Sequence, residues 1–85
     1  MLQLPIMKVG KVTHYYNKAG VAIVELLGTL KVGDMLKFQG HGADFEQVAD
    51  SIQMNHEQVQ SAGKGDMVGL KVAQEVKEGT EVEKV

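Results

Sequence analysis

A glycine, a small acid and then an alternating strand occur in succession twice in this chain. The copies are Val32-Gly33-Asp34-Met35-Leu36-Lys37-Phe38 and Lys64-Gly65-Asp66-Met67-Val68-Gly69-Leu70-Lys71-Val72. A looser third copy, Glu78-Gly79-Thr80-Glu81-Val82, closes the sequence. Glycine supplies the positive φ of a tight turn, the small polar residue after it bonds locally to the backbone, and the residues that follow alternate as a half-buried strand does. A chain punctuated in this way is bound to short strands joined by corners. The pattern constrains the fold far more than it constrains any activity.

With 85 residues the chain is expected to form one domain, residues 1–85, near the lower limit for an ordinary hydrophobic core. Hydrophobic residues make up 44% of it, aromatics are few and tryptophan is absent, so the core is expected to be built of Val, Ile, Leu and Met. The absence of cysteine removes disulfides and thiolate metal sites and fits a reducing compartment. Met1-Leu2-Gln3-Leu4-Pro5-Ile6 lacks the features of a signal peptide, and no apolar run is long enough to span a bilayer, so a cytoplasmic location without membrane contact is expected.

The net charge is -2 and every basic residue is lysine. Arginine's planar fork reads phosphate or guanine at two points, so its absence argues against a dedicated sequence-specific nucleic-acid binder, although lysine still neutralises phosphate. Lys8, Lys11 and Lys18 fall in an acid-poor N-terminal third, whereas Glu75, Glu78, Glu81 and Glu83 crowd the C-terminal end. That division suggests a mildly positive face at one end.

Val9 to Tyr16 reads as a strand interrupted by Gly10 at a bulge or bend, and Asn17-Lys18-Ala19-Gly20 as a hairpin turn. Val21 to Leu27 is apolar on both faces, as suits a strand covered on each side or one at a barrel seam. From Met35 to Gln39 the alternation is clean, and Gly40 to Asp44 reads as a glycine-rich loop. Val68, Leu70 and Val72 share a face with Gly69 opposite. Short strands at these spacings indicate a closed barrel or a small sandwich. Asp44 to Ala62 fits less well: Phe45, Val48, Ala49 and Ile52 follow helical spacing, and Asp44 with Gln47 resembles a capping box. A strand through Val48, Ile52 and Met54 is the alternative, with Asp50 on the same face or a bulge beside it.

Three runs carry a family resemblance: Gly28 to Asp34 (Gly-Thr-Leu-Lys-Val-Gly-Asp), Val48 to Gln53 (Val-Ala-Asp-Ser-Ile-Gln), and Val59 to Leu70 with its Ala62-Gly63-Lys64-Gly65-Asp66-Met67-Val68-Gly69-Leu70. Together they resemble domain two of the translational GTPases, the family of elongation factor Tu, and Leu4-Pro5-Ile6 is similar to the lead-in to that domain. The resemblance implies an all-β fold, a six-stranded antiparallel β-barrel, with Asp44 to Ala62 forming a strand and then a loop through His56 and Glu57. It also implies a module that touches tRNA or the ribosome beside a separate GTPase domain. No Gly-x-x-x-x-Gly-Lys-Ser/Thr phosphate loop exists here, so GTP binding by this chain is not expected.

Catalytic constellations are not evident. His56-Glu57 begins like a zinc-protease helix, but Gln60 stands where the second histidine is required. His14, His41 and His56 lie in separate segments, Ser51 and Ser61 have no nucleophile-elbow context, and Asp34 and Asp66 are explained by their turns. Neither a catalytic residue, nor a metal, nor a cofactor is therefore expected, and the chain reads as a non-enzymatic binding module. His14, Tyr15, Tyr16 and Lys18 are the candidate nucleic-acid-binding residues, since rings at a strand end stack on unpaired bases while lysine meets phosphate. A structural account of the same residues has one tyrosine filling the end of the fold and the other covering the hairpin. The alternative function is a protein-interaction barrel docking through Val21 to Leu27 and through Met7, Met35 and Met67. At least two of those methionines are expected to fill the core instead. The expected partners are thus tRNA, the ribosome or a protein.

Overall fold

The computed structural model describes residues 7–55 and 57–84, the side chain of Met7 excepted. Leu4-Pro5-Ile6 and His56, each named above, lie outside the described residues. The elements are all strands: β1 Met7–Tyr16, β2 Val21–Leu26, β3 Leu30–Lys31, β4 Met35–Gly40, β5 Ala43–Val48, β6 Ile52–Met54, β7 Glu57–Val59, β8 Ser61–Ala62, β9 Met67–Lys71 and β10 Glu81–Lys84. Eight of them form one sheet in the order β5-β4-β10-β1-β2-β9-β6-β7, and β3 pairs with β8. Every pairing is antiparallel. The expected all-β, antiparallel class therefore holds. The expected six-stranded closure does not appear in the strand order, whose ends β5 and β7 are not paired to each other.

The repeated turns explain why the chain bends where it does. At Lys31-Val32-Gly33-Asp34 the Asp34 N–H donates to the Lys31 carbonyl at 3.1 Å, and at Gly63-Lys64-Gly65-Asp66 the Asp66 N–H donates to the Gly63 carbonyl at 3.0 Å. Only the third residue of each has positive φ, 98° at Gly33 and 90° at Gly65, which is the type II turn that favours glycine there. Each carboxylate then accepts the N–H three residues back, Lys31 at 2.9 Å and Gly63 at 3.0 Å. Lys77-Glu78-Gly79-Thr80 repeats the geometry with a hydroxyl: Thr80 donates from Oγ1 to the Lys77 carbonyl at 2.7 Å. Thr80 is fully buried, where a carboxylate would be an unpaired interior charge.

All three corners are stitched to a distant strand in the same way. The Gly33 N–H donates to Ala49, that of Gly65 to Leu26 and that of Gly79 to Val12, at 2.8 to 2.9 Å. In return the N–H groups of Ala49, Leu26 and Val12 donate to the carbonyls of Asp34, Asp66 and Thr80 over the same range. The three receiving residues are buried, so each corner closes over the core.

Gly10 has a different duty. A Cβ there would lie 2.6 Å from Val24 Cγ1 and 2.8 Å from the Glu25 carbonyl oxygen, so β1 and β2 approach too closely for a side chain. The register of β1 against β10 shifts between Lys8 and Gly10, the bulge that the glycine signalled.

Among the described residues, Asp44 to Ala62 contains no helix. Gly40 pairs with Ala43 across His41-Gly42, whose φ values of 53° and 90° make the two-residue hairpin turn that matches strand twist. Ala43 and Asp44 thus belong to β5 instead of to a loop. Phe45 stacks on the fully buried Phe38 directly opposite, with ring centroids 5.0 Å apart, a contact that helical spacing would forfeit. The Gln47 side chain, read as part of a cap, instead donates to the Lys71 carbonyl at 2.7 Å and accepts the Ala73 N–H at 2.8 Å. Beyond the Ala49–Ser51 break the expected loop is a hairpin, β6 to β7. Val48 is exposed while Ile52 is buried, so they share no buried face.

The core comprises Val9, Val12, Val24, Leu26, Leu30, Leu36, Phe38, Ile52, Val68, Leu70, Val76 and Val82 with several alanines. Methionine is not among the fully buried side chains: Met54 packs partly against the core, and Met35 and Met67 are exposed, against the expectation that such residues fill it.

Candidate functional site

Strand β1 ends between two grooves. On one side His14, Tyr15 and Asn17 meet His41 from the β4–β5 turn and Glu75, Val76, Lys77 and Glu78 from the segment before β10, enclosing about 480 Å³. Val76 is buried and Tyr15 packs against the core, which fixes the groove floor. His14 Nδ1 lies 3.5 Å from Glu78 Oε2. The His41 ring crosses Gly79, where an added Cβ would sit 2.8 Å from Nε2. Beyond His41 a second hollow continues past Gly79 to Glu81 and Glu83. His14 and His41, far apart in sequence, are thus brought to one acidic surface. Among the described residues no group of three or more His, Cys, Asp or Glu side chains could hold a metal ion.

On the other side Tyr16, Ala19, Val21, Ile23, Gln53, Asn55, Met67, Val68 and Gly69 line a groove of about 430 Å³ that carries no formal charge. The His14 and Tyr16 rings meet edge to face at 4.3 Å across the strand end. The tyrosines divide as the structural account expected: Tyr15 packs inward, whereas Tyr16 is 52% exposed beside the hairpin. Lys18 is exposed within that turn and lines neither groove. Of the four candidates, His14 touches Tyr16 and shares a groove with Tyr15, while Lys18 lines neither groove.

The mildly positive face is not formed, and the pairing order explains why. β10 inserts between β1 and β4, placing Glu83 opposite Lys8 and Glu81 opposite Lys11, while Glu25 of β2 faces Lys11 from the other side. Lys8 Nζ donates to Glu81 Oε2 at 2.8 Å. This hydrogen bond and the charge of Lys8 hold the Glu81 carboxyl below its ordinary 4.5. At the far end of the sheet Asp34 lies 3.2 Å from Lys84. Burial acts to raise the Asp34 carboxyl, but the Lys31 N–H and the Lys84 ammonium outweigh it and hold the group below its ordinary 3.8.

An uncharacterized protease of Methanocaldococcus jannaschii is 39% identical to this chain over 77 residues, covering 89% of the chain but only 19% of the protease. The C-terminal domain of a Geobacillus thermoleovorans protein designated a U32 peptidase superposes with a TM-score of 0.87 at 23% identity, covering 93% of this chain and 92% of that one. The fold is that of this C-terminal domain. A selenomethionine form of it gives a TM-score of 0.82 at 22% identity, covering 92% of this chain and 98% of the domain. No family model matches the chain. The chain spans about a fifth of the curated relative's length.

These likenesses correct the expected kinship with domain two of the translational GTPases, and with it the reading as a translation-factor-like, RNA-binding module aimed at tRNA or the ribosome. Two of the three runs that suggested it contain the corners at Gly33-Asp34 and Gly65-Asp66, whose turn chemistry is local. The expectation of a non-enzymatic chain is corrected too, because the relative is named a protease.

Proposed function

We propose that the chain serves as the C-terminal-type β domain of a U32-type peptidase, working with a catalytic region that lies outside the matched segment. The observation carrying this reading is the 39% identity to the Methanocaldococcus jannaschii protease across 89% of the chain. End-to-end superposition on the Geobacillus domain supports it. The role is that of a rigid body beside the hydrolytic region.

The finer architecture belongs to the same reading: the long sheet closes into a barrel along a seam between β5 and the end of β9. Support comes from Gln47, whose amide occupies the place of a missing ladder residue by bonding both Lys71 and Ala73. The inner faces of β4, β6, β9 and β10 also meet in a single core.

The test replaces the matched 77-residue segment of the Methanocaldococcus jannaschii protease with this chain and measures hydrolysis of labelled casein. Loss of activity on deleting the segment and its return in the chimera are expected. A chimera no better than the deletion would overturn the reading, as would an intact relative without peptidase activity.

A further inference from the structure

We infer that the uncharged groove beside the β1–β2 hairpin is the surface by which this domain docks on the catalytic body of its peptidase, an inference that rests on the function proposed above. Tyr16 is 52% exposed and Met67 50% exposed, and the two flank one hollow whose middle is formed by Val21, Ile23 and Gly69. Gly69 makes the hollow. A Cβ at that position would lie 3.3 Å from Val21 Cγ1 and 3.7 Å from Ile23 Cδ1, filling the space a partner's side chain could enter. Gln53 and Asn55 close one side with neutral hydrogen-bonding groups.

In a chain with 24% charged residues, a groove whose lining carries no charge among the described residues selects its occupant by chemistry. A phosphate-rich or strongly charged ligand finds no counter-charge there, whereas an apolar, uncharged protein surface loses no ion solvation on docking. Tyrosine and methionine flanking a hollow with a neutral polar edge is the composition of an interface centre. About four fifths of the Methanocaldococcus jannaschii relative lies outside the segment this chain matches, so a large body accompanies this fold in that protein. The acidic groove across β1 carries Glu75 and Glu78 and continues to Glu81 and Glu83, which suits it to face solvent instead.

Hydroxyl-radical footprinting of the isolated chain and of the chimera described above tests this surface. Tyr16 and Met67 are expected to label rapidly in the isolated chain and severalfold more slowly in the chimera, with Met35, on the outer face of β4, labelled equally in both. Tyr16→Glu with Met67→Glu in the chimera is expected to raise labelling of Ile23 to the level of the isolated chain, and Glu83→Lys to leave it unchanged. Both substituted positions are half-exposed, and circular dichroism of the isolated variant checks its fold. Equal labelling of Tyr16 and Met67 in both proteins overturns the docking surface, while retained casein hydrolysis would leave the peptidase reading standing. Concentration-dependent shielding in the isolated chain, with dimers in sedimentation, assigns the groove to a second copy and also overturns it.

Discussion

Gly33 and Gly79 hold the same position in equivalent turns, with φ of 98° and 93°, yet their surroundings differ. An alanine Cβ at Gly33 meets no atom within 4 Å, whereas at Gly79 it lies 2.8 Å from His41 Nε2. Gly33→Ala is therefore expected to lose on the order of 1–2 kcal/mol from backbone strain alone. Gly79→Ala should lose more, and His41→Ala in the same molecule should recover the difference. Urea unfolding of the three variants measures it; equal losses at the two glycines would contradict the contact. Asp34 supplies a pH prediction. Its carboxyl is held below the ordinary 3.8, so the stability it contributes is present above that value and disappears as pH falls through the lower folded value. The stability gap between the native chain and Asp34→Asn should be flat at neutral pH and shrink below about pH 4. A gap unchanged down to pH 2 would show that Asp34 has no favourable partner in the folded state. The turn chemistry was legible from Gly-Asp itself, because it is satisfied within four residues. The His41–Gly79 contact was not, because nothing local links the β4–β5 turn to the turn before β10.

At the scale of elements, the Gln47 side chain bonds β5 to the end of β9 and to Ala73 beyond it. Gln47→Leu removes both bonds of its amide at similar volume and is expected to cost about 1–3 kcal/mol, two ordinary net hydrogen bonds. Hydrogen exchange at the Ala73 N–H should accelerate more than at Ala22 in the middle of β2; equal acceleration would mean global loosening and no seam. The same residue shows why Asp44 to Ala62 misleads when read locally. Its apolar spacing fits a helix, but Phe45 gains a stacked ring only as a strand opposite Phe38, and Gln47 gains two backbone partners only across the seam. Both gains come from residues outside the segment, so tertiary context overrides local periodicity.

Over the whole molecule, the last strand is the keystone of the order: β10 separates β1 from β4, and Val82 is fully buried between them. Deleting residues 81–85 should abolish cooperative unfolding, because β4 and β5 then lose the ladder that, among the described residues, joins them to the rest of the main sheet. A truncated chain with native-like dispersion of its amide resonances would overturn that role. The same insertion governs the electrostatics. Lys8 and Lys11 look unopposed along the sequence, but their cross-strand partners are Glu83 and Glu81 from the other end of the chain. Of the candidate residues His14, Tyr15, Tyr16 and Lys18, the first two line the acidic groove and Tyr16 the apolar one, with the His14 and Tyr16 rings in contact between them. The hydrophobic character of Val21 and Ile23 was readable, but the hollow between them and Met67 was not, since it forms only where Gly69 of β9 pairs with Ile23.

The amino-acid sequence by itself determined the β-rich character outside Asp44 to Ala62, the hairpin at Asn17–Gly20, the inward faces of β4 and β9, and the corners at Gly33, Gly65 and Gly79. Each of these is encoded by alternation or by turn chemistry within a few neighbouring residues. The tertiary structure decided the strand order, the pairing of Lys8 and Lys11 with the C-terminal glutamates, the strand state of Asp44 to Val48, and the placing of Tyr15 and Tyr16 in different grooves. Those features depend on pairings between residues remote in the chain, whose energies exist only once the sheet has assembled.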